Sequence, residues 1–566
     1  MSNVRELYEL WLTKGDQETA AELQKISSDE TEIQERFYRS LEFGTGGLRG
    51  VIGAGTNRIN KYTIRQATQA MANYLIKMGQ QGRGVCISYD SRKFSDLFAK
   101  ETACVLAANG IRAYLSDTLQ PVPFLSYSVL HFKAAAGVMI TASHNPPKYN
   151  GYKAYCETGE QIGPEMAEEI MKEISKIDLF CDVKSISLEQ ALEQGMVVMM
   201  GEEVENAYLS CVLEQQKNPG VAAQSNLKIV YTPLHGSGNI PVRRALSMAG
   251  FDQVFVVPEQ ELPDPAFSTV KSPNPEEKEG FTLAIALANE KKADLIIGTD
   301  PDCDRVGALV RDSQGNFQAL NGNQTGVILL EYILSSIDIP KNGAVVKTIV
   351  STYLANAICK HYGVTVMDVL TGFKFIGEKI KEFEKTKSHV FLFGFEESYG
   401  YLSGTYTRDK DAVVASLLIA EAAAYYRTKG KSLLDVLDDI YQTYGAYQES
   451  LKAVTMEGMA GLEKIKSITR SLRENSPKEM NSVKITAKED YLERVRTTED
   501  GTTPITLPKS DVLRFELEDG SSFAVRPSGT EPKIKIYFAV IGKDTAEASR
   551  KLEEFQKQVL EVILQQ

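Results

Sequence analysis

Residues 294–305, Asp-Leu-Ile-Ile-Gly-Thr-Asp-Pro-Asp-Cys-Asp-Arg, run from an apolar strand straight into an acidic loop. The Leu295-Ile296-Ile297 core, closed by Gly298, reads as a buried strand over Asp294–Gly298. Beyond it Asp300, Asp302 and Asp304 alternate, so their carboxylates are able to point at one hard cation. The opening resembles that of a calcium-binding EF-hand loop and then departs from it. Arg305 stands at the sixth position instead of glycine, and Arg311 at the twelfth instead of glutamate. Three protein carboxylates leave coordination for waters and a phosphate oxygen, which suits magnesium. A solvated acidic turn is the alternative, and the buried character of the preceding strand speaks against it. Arg305 either pairs with these aspartates or reaches toward a phosphate.

The same design recurs on both sides. Strands are expected at Val85–Tyr89, Ile111–Ser116 and Gly137–Thr141, then at Leu227–Tyr231 and Val254–Val257, then at Ala344–Ile349, Val364–Val369 and Val390–Phe393. Helical stretches separate them, so the chain is α/β. The last strand of each group leads into a chemically loaded sequence: Thr141-Ala142-Ser143-His144-Asn145-Pro146-Pro147, the aspartate loop, and Gly394-Phe395-Glu396-Glu397-Ser398-Tyr399-Gly400-Tyr401. Ligands bind beyond the carboxyl ends of parallel strands, so three α/β units each offer one loop to a central cleft.

The flanks differ. The first forty residues read as helices and hold the only tryptophan, Trp11. In the last 120, Asp511–Arg526 reads as a hairpin about Asp519-Gly520 and Lys533–Val540 as a further strand. A terminal helix is expected from Asp544, with Glu547 completing a capping box. This is a smaller C-terminal α+β domain. The expected division is 1–203, 204–320, 321–445 and 446–566.

Each loop has its own chemistry. A serine at a strand end, followed by prolines that forbid an immediate helix, is expected to be exposed and rigidly aimed. It serves as a covalent carrier when a base, metal or cation supports it, although an ordinary Ser/Asn/Pro turn has the same composition. It is not a GxSxG elbow, so a serine hydrolase is disfavoured. Glu396, Glu397 and Ser398 suit vicinal sugar hydroxyls. Arg526-Pro527-Ser528-Gly529-Thr530 offers a guanidinium fork, two hydroxyls and an approachable glycine, either a phosphate cradle or a plain β-turn. Gly236-Ser237-Gly238 raises dinucleotide binding only weakly, because Pro241 occupies the place of the third glycine.

The formal net charge of −12 argues against nucleic acid as a partner. Small anions remain compatible with it, since local arginines and backbone amides suffice to hold a phosphate. No run of 18 apolar residues and no signal-peptide pattern occurs, so a cytoplasmic chain without membrane contact is expected. The seven cysteines are scattered without a CxxC pair, which indicates neither disulfides nor zinc.

Taken together and in this order, the four loaded sequences resemble the α-D-phosphohexomutase family, its phosphoglucomutases in particular. The resemblance runs from Phe43-Gly44-Thr45-Gly46-Gly47-Leu48-Arg49 to Arg526–Thr530. It implies three related α/β domains with mixed sheets plus a smaller C-terminal domain around a central cleft. It implies Ser143 as phosphate carrier, joining Asp300, Asp302 and Asp304 around Mg2+. Arg49 would face the phosphoserine, Lys153 would assist proton transfer, and His144 belongs to the serine loop. Glu396 and Ser398 would hold the sugar. Lys374, Lys410, Arg305, Arg526, Ser528, Gly529 and Thr530 would serve the substrate, chiefly its phosphate.

The implied partners are hexose phosphates, with glucose 1,6-bisphosphate as intermediate and activator. The implied reaction interconverts glucose 1-phosphate and glucose 6-phosphate in a monomer or small homo-oligomer. Two departures bear on this. The N-terminal motif is GTGG where GTSG is commoner, and Tyr399-Gly400-Tyr401 replaces the usual phenylalanine-glycine. Pentose, mannose or glucosamine phosphates are the rival substrates. A metal-dependent phosphatase or a non-enzymatic sensor are the rival classes.

Overall fold

The computed structural model describes residues 2–43, 46–456, 458–527 and 533–565. Three of its sheets repeat one plan. In the first, Ala136–Ile140 lies parallel to Val85–Tyr89, which lies parallel to Ala113–Ser116, and Tyr149–Cys156 returns antiparallel to Ala136–Ile140. In the second, Leu295–Thr299, Ile229–Thr232 and Val254–Val256 take those places, and Val306–Arg311 is the return strand. In the third they are Val390–Glu396, Gly343–Thr348 and Thr365–Val369, with Gly400–Leu402 returning. The first sheet adds Gly47–Val51 and Val197–Met200 at its edges, and the second adds Phe317–Leu320. All three sheets are therefore mixed, and the three units share one topology.

In each unit the link between the central strand and its return strand is the loaded loop. The strands Ala136–Ile140 and Leu295–Thr299 are buried along their whole length, as expected of strands covered on both faces. Each loop also contains one non-glycine residue in the left-handed region: Ser143 at φ 53°, Cys303 at φ 51° and Tyr399 at φ 64°. L-residues adopt that conformation at a cost, so surrounding contacts must impose it.

The strand expected at Val85–Tyr89 is found with those bounds. Val390–Phe393 instead continues through Glu396, because Gly394–Glu396 ladder onto Gly400–Leu402. Glu396 is thus a strand residue, held more firmly than a loop residue would be.

The C-terminal sheet is antiparallel, ordered Ala446–Thr455, Lys533–Gly542, Ser522–Pro527, Leu513–Leu517, Val483–Asp490, Val495–Thr498, Gly501–Pro504. Its hairpin turns at Gly520, whose φ of 81° favours glycine. The terminal helix Thr545–Gln565 is capped by Asp544, which accepts the Glu547 N–H at 2.8 Å. The reciprocal bond is displaced: the Glu547 carboxylate takes the N–H of Lys543, one residue before the cap, at 2.7 Å. At the other end, helices Ser2–Lys14, Gln17–Gln24 and Glu30–Phe37 bury Trp11 against Tyr62 and Phe180 of the first unit. Among the described residues, no helix is long and apolar enough to cross a membrane.

The units do not stand apart. Helix Ala412–Thr428 is largely apolar and is buried continuously from Ala412 to Ala424, as a helix without a broad polar face must be. It follows the third sheet in sequence yet packs on strands Leu295–Thr299 and Val306–Arg311 of the second.

Candidate active site

A cleft of about 530 Å3 is lined by side chains from all four units, among them Ser143, Asp304, Glu396 and Arg526. Backbone bonds between units bring the loops together. Val122 N–H donates to the Asp302 carbonyl at 2.9 Å, Ala412 N–H to the Cys303 carbonyl at 3.3 Å, and Val306 N–H to the Tyr399 carbonyl at 3.1 Å. The aspartate loop is therefore fastened to both neighbours. The Gly236-Ser237-Gly238 turn serves it too: Ser237 N–H and Oγ both donate to the Pro301 carbonyl at 2.8 Å. A Cβ on Gly236 would sit 2.5 Å from Pro301 Cα, so close packing explains that glycine and a dinucleotide site does not.

Ser143 is only 4% exposed, where an exposed residue was expected. The second unit closes over it, placing Asp300 Oδ2 3.0 Å from its Oγ, and His144 Nδ1 lies 3.2 Å away on the other side. Asp300 Oδ1 is already taken by the N–H groups of Asp304 at 3.0 Å and Arg305 at 2.9 Å. Asp300, Asp302 and Asp304 are all buried and bring one carboxylate oxygen each within 4.8 Å of one another. Asp302 Oδ1 and Asp304 Oδ1 are buried without a hydrogen-bond partner. Orphaned carboxylate oxygens are costly unless a cation or donor meets them, so this all-oxygen set fits a divalent metal.

Two lysines stand opposite. Lys153 Nζ lies 2.7 Å from Asp302 Oδ2 and 3.4 Å from Asp304 Oδ2, and Lys410 Nζ 3.2 Å from Asp304 Oδ2. Burial and the adjoining Asp302 and Asp304 charges push Asp300 well above the usual carboxylate range. Burial acts the same way on Asp304, but Lys410, Lys153 and Arg305 overcome it and hold Asp304 low. Burial would lower Lys153 and Lys410; their carboxylate partners win, and both remain ammonium. His144 is pushed well below its ordinary value by burial and by Arg305, which keeps the imidazole neutral beside Ser143.

The remaining expected residues divide. Arg49 pairs in register with Gly151, and its Nη1 reaches Asn145 Oδ1 of the serine loop at 3.3 Å. Arg305 turns to Glu276, which it grips through Nη1, while its Nε stays 3.9 Å from Asp304 Oδ1. Glu396 is anchored by the Gly372 N–H at 2.8 Å, and Ser398 lines the cleft beside it. Lys374 opens helix Lys374–Thr386; its neighbours Gly372 and Phe373 line the cleft and Lys374 does not. Ser528, Gly529 and Thr530 lie outside the described residues.

Arg526 does line the cleft, directly opposite Lys535 on the neighbouring antiparallel strand. Two like charges facing each other across strands are unfavourable without an anion between them. Burial and then the Arg526 charge lower Lys535 accordingly. Lys535 was not singled out from sequence, although Lys533, Lys535 and Tyr537 alternate onto one face of their strand. Asn274, Glu276 and Glu449 were missed as well, and they carry no local signature.

Glu449 sets a pH dependence. Burial pushes its carboxyl from 4.5 up to about 7, against the opposing effects of Thr352, Asn323 and Lys347. The folded state therefore holds more protons than the unfolded chain between those values, so this contribution is present at low pH and fades as pH rises toward 7. Thermal unfolding of Glu449→Gln should give a higher Tm than wild type at pH 8, with the advantage shrinking toward pH 5. A difference independent of pH would contradict this.

Ser143 set against buried carboxylates, with Glu396, Ser398, Lys410 and Arg526 across one cleft, is an arrangement that suits an enzyme handling sugar phosphates. Models of the phosphoglucomutase/phosphomannomutase domains match in succession: α/β/α domain I over 40–180, domain II over 206–315, domain III over 321–444 and the C-terminal domain over 469–558. A phosphoglucomutase of Staphylococcus aureus (strain MRSA252) is 38% identical over 547 residues, spanning 96% of this chain and 97% of its own. One from Staphylococcus epidermidis is 40% identical over 513 residues, spanning 90% and 92%. Among solved structures, the open form of Paramecium pp63/parafusin, a phosphoglucomutase, superposes with a TM-score of 0.70 at 17% identity, covering 93% of this chain and 95% of that one. A phosphoglucomutase/phosphomannomutase family protein of Burkholderia thailandensis gives 0.66 at 17%, covering 92% and 97%. The chain belongs to the phosphoglucomutase/phosphomannomutase family, enzymes of the isomerase class.

Proposed function

We propose that this chain interconverts glucose 1-phosphate and glucose 6-phosphate, with Ser143 as the phosphoryl carrier and glucose 1,6-bisphosphate as the intermediate. The observation that carries the reading is the Ser143 hydroxyl, 3.0 Å from Asp300 in the cleft that also holds Glu396 and Ser398. Phosphorylated Ser143 donates its phosphoryl group to the free hydroxyl of the hexose monophosphate. The bisphosphate then reverses, and its other phosphate returns to the serine oxygen. Asp300, Asp302 and Asp304 would hold Mg2+, which supplies charge neutralisation at the serine phosphate when bound.

The protein's own part is positioning and charge stabilisation. Glu396 and Ser398 accept and donate to sugar hydroxyls. Arg49 covers the serine loop. Lys153, kept as an ammonium, is suited to hold or give a proton at the reacting oxygen. Arg526 and Lys535 grip the phosphate remote from Ser143, with the segment Ser528–Thr530 expected to join them. Removing a charge-assisted contact typically costs about 1.5–3 kcal/mol, so Arg526→Ala should lose roughly ten- to a hundredfold in kcat/KM while phosphorylation of Ser143 survives. An unchanged kcat/KM would remove Arg526 from the phosphate site.

The deciding experiment compares glucose, mannose, glucosamine and ribose 1-phosphates in one coupled assay with Mg2+ and the matching bisphosphate. The glucose substrate should have the highest kcat/KM, because a site built for particular hydroxyls rejects analogues that leave buried partners unpaired. A higher value for ribose 1-phosphate would make the enzyme a phosphopentomutase. Steady release of inorganic phosphate would make it a phosphatase.

A further inference from the structure

Arg92 is fully buried, does not itself line the cleft, and lies beneath the serine loop. Its Nη1 donates to the carbonyls of Pro146 and Tyr149, both at 3.1 Å, and its Nη2 to those of Ser143 and Asn145. One guanidinium thus gathers four carbonyls of the irregular loop, of which Pro146 also accepts the Tyr149 N–H at 3.0 Å. Asp90 holds the cation from the other side. Its Oδ2 is 3.4 Å from Arg92 Nε and 2.6 Å from Thr141 Oγ1, and its Oδ1 accepts Arg92 N–H at 2.9 Å and the Ser95 hydroxyl at 2.8 Å. Thr141 Oγ1 in turn accepts the Ser143 N–H at 2.8 Å and lies 3.1 Å from Asp302 Oδ2. Asp90, Arg92, Ser95 and Thr141 are all buried.

We propose that Arg92, tied through Asp90 and Thr141, is the positioning group that fixes Ser143 in the conformation from which its hydroxyl accepts and returns the phosphoryl group. This rests on the phosphoserine reading above. Ser143 sits at φ 53°, where a non-glycine residue does not stay without constraint. Its N–H is held by Thr141 and its carbonyl by Arg92, so both peptide units flanking the strained residue are pinned. Without the pins the residue relaxes toward negative φ and carries Oγ away from Asp300. A lysine cannot replace the guanidinium, since a point charge with three donors does not match a fork aimed at four carbonyls. The Thr141 hydroxyl, placed between Asp90 and Asp302, also joins this brace to the aspartate loop.

The test uses the full chain with Mg2+, glucose 1-phosphate and glucose 1,6-bisphosphate. Arg92→Lys should lose roughly a hundredfold in kcat, the usual cost of a reacting atom displaced by about 1 Å, with KM changed by less than about threefold. Its Ser143 should take up phosphate from the bisphosphate more slowly, as followed by intact mass. Thr141→Val should lose roughly tenfold in kcat, while Thr141→Ser, which keeps the hydroxyl, should stay within about threefold of wild type. If Arg92→Lys does not fold, the Thr141 pair decides. An active wild type with unchanged kcat in Thr141→Val, or in a folded Arg92→Lys, would overturn the positioning role alone. A wild type that carries no phosphate on Ser143 would overturn the phosphoserine reading and this inference with it.

Discussion

Ser143→Ala should have essentially no mutase activity, a loss of at least about 10^4-fold in kcat, as when other covalent nucleophiles are removed. The reason is geometric. Ser143 Oγ meets Asp300 Oδ2 at 3.0 Å and His144 Nδ1 at 3.2 Å, and no comparable hydroxyl shares that position among the described lining residues. His144, held neutral by burial and by Arg305, does not place a competing positive charge there. Intact-mass measurement and phosphopeptide mapping of the wild type should find a phosphoryl group on Ser143, and none in the variant. Phosphate mapped to another serine in an active enzyme would refute the assignment. Because the substitution removes only a small polar atom from a buried site, the fold should persist, which separates loss of the carrier from loss of structure.

Removing the metal should be nearly as damaging. Three carboxylates converge in a buried loop, and two of their oxygens have no hydrogen-bond partner. Lys153 and Lys410 offset part of this negative charge but occupy only Asp302 Oδ2 and Asp304 Oδ2. A cation that neutralises phosphate oxygens is worth several kcal/mol, so chelation should lower turnover by roughly a thousandfold or more. Added magnesium should restore it, and manganese should substitute in part, as the all-oxygen donor set requires. Asp302→Asn should weaken metal binding measured directly by calorimetry, independently of activity. Full activity in a thoroughly metal-free preparation would refute the metal's role.

The α/β class, the three loaded loops and the separate C-terminal sheet were legible because each rests on local chemistry. Apolar runs such as Leu295-Ile296-Ile297 make strands wherever they are buried. Alternating aspartates and a serine before two prolines keep their character in any surroundings. Arg526 was legible for the same reason, since the local composition Arg526-Pro527-Ser528-Gly529-Thr530 is that expected of an anion cradle. Lys535, Glu276, Glu449 and Arg92 were not. Each is an ordinary charged residue whose meaning comes from a partner distant in the chain: Arg526 across a strand pair, Arg305 of the aspartate loop, the third unit's Thr352 and Asn323, and the carbonyls of residues 143–149.

By itself, then, the sequence determined which loops carry the serine, the aspartates and the Glu396-Glu397-Ser398 cluster, and that these loops follow strands of an α/β fold. Only the tertiary structure decided that Ser143 is buried rather than exposed, that it meets Asp300, and that Arg305 pairs with Glu276. The physical reason is that those facts depend on how separate units dock. Docking is set by backbone bonds such as Val122 to Asp302 and Ala412 to Cys303, and by the largely apolar helix Ala412–Thr428. Peptide groups are the same at every residue, so the sequence around them does not reveal which distant carbonyl an N–H will find.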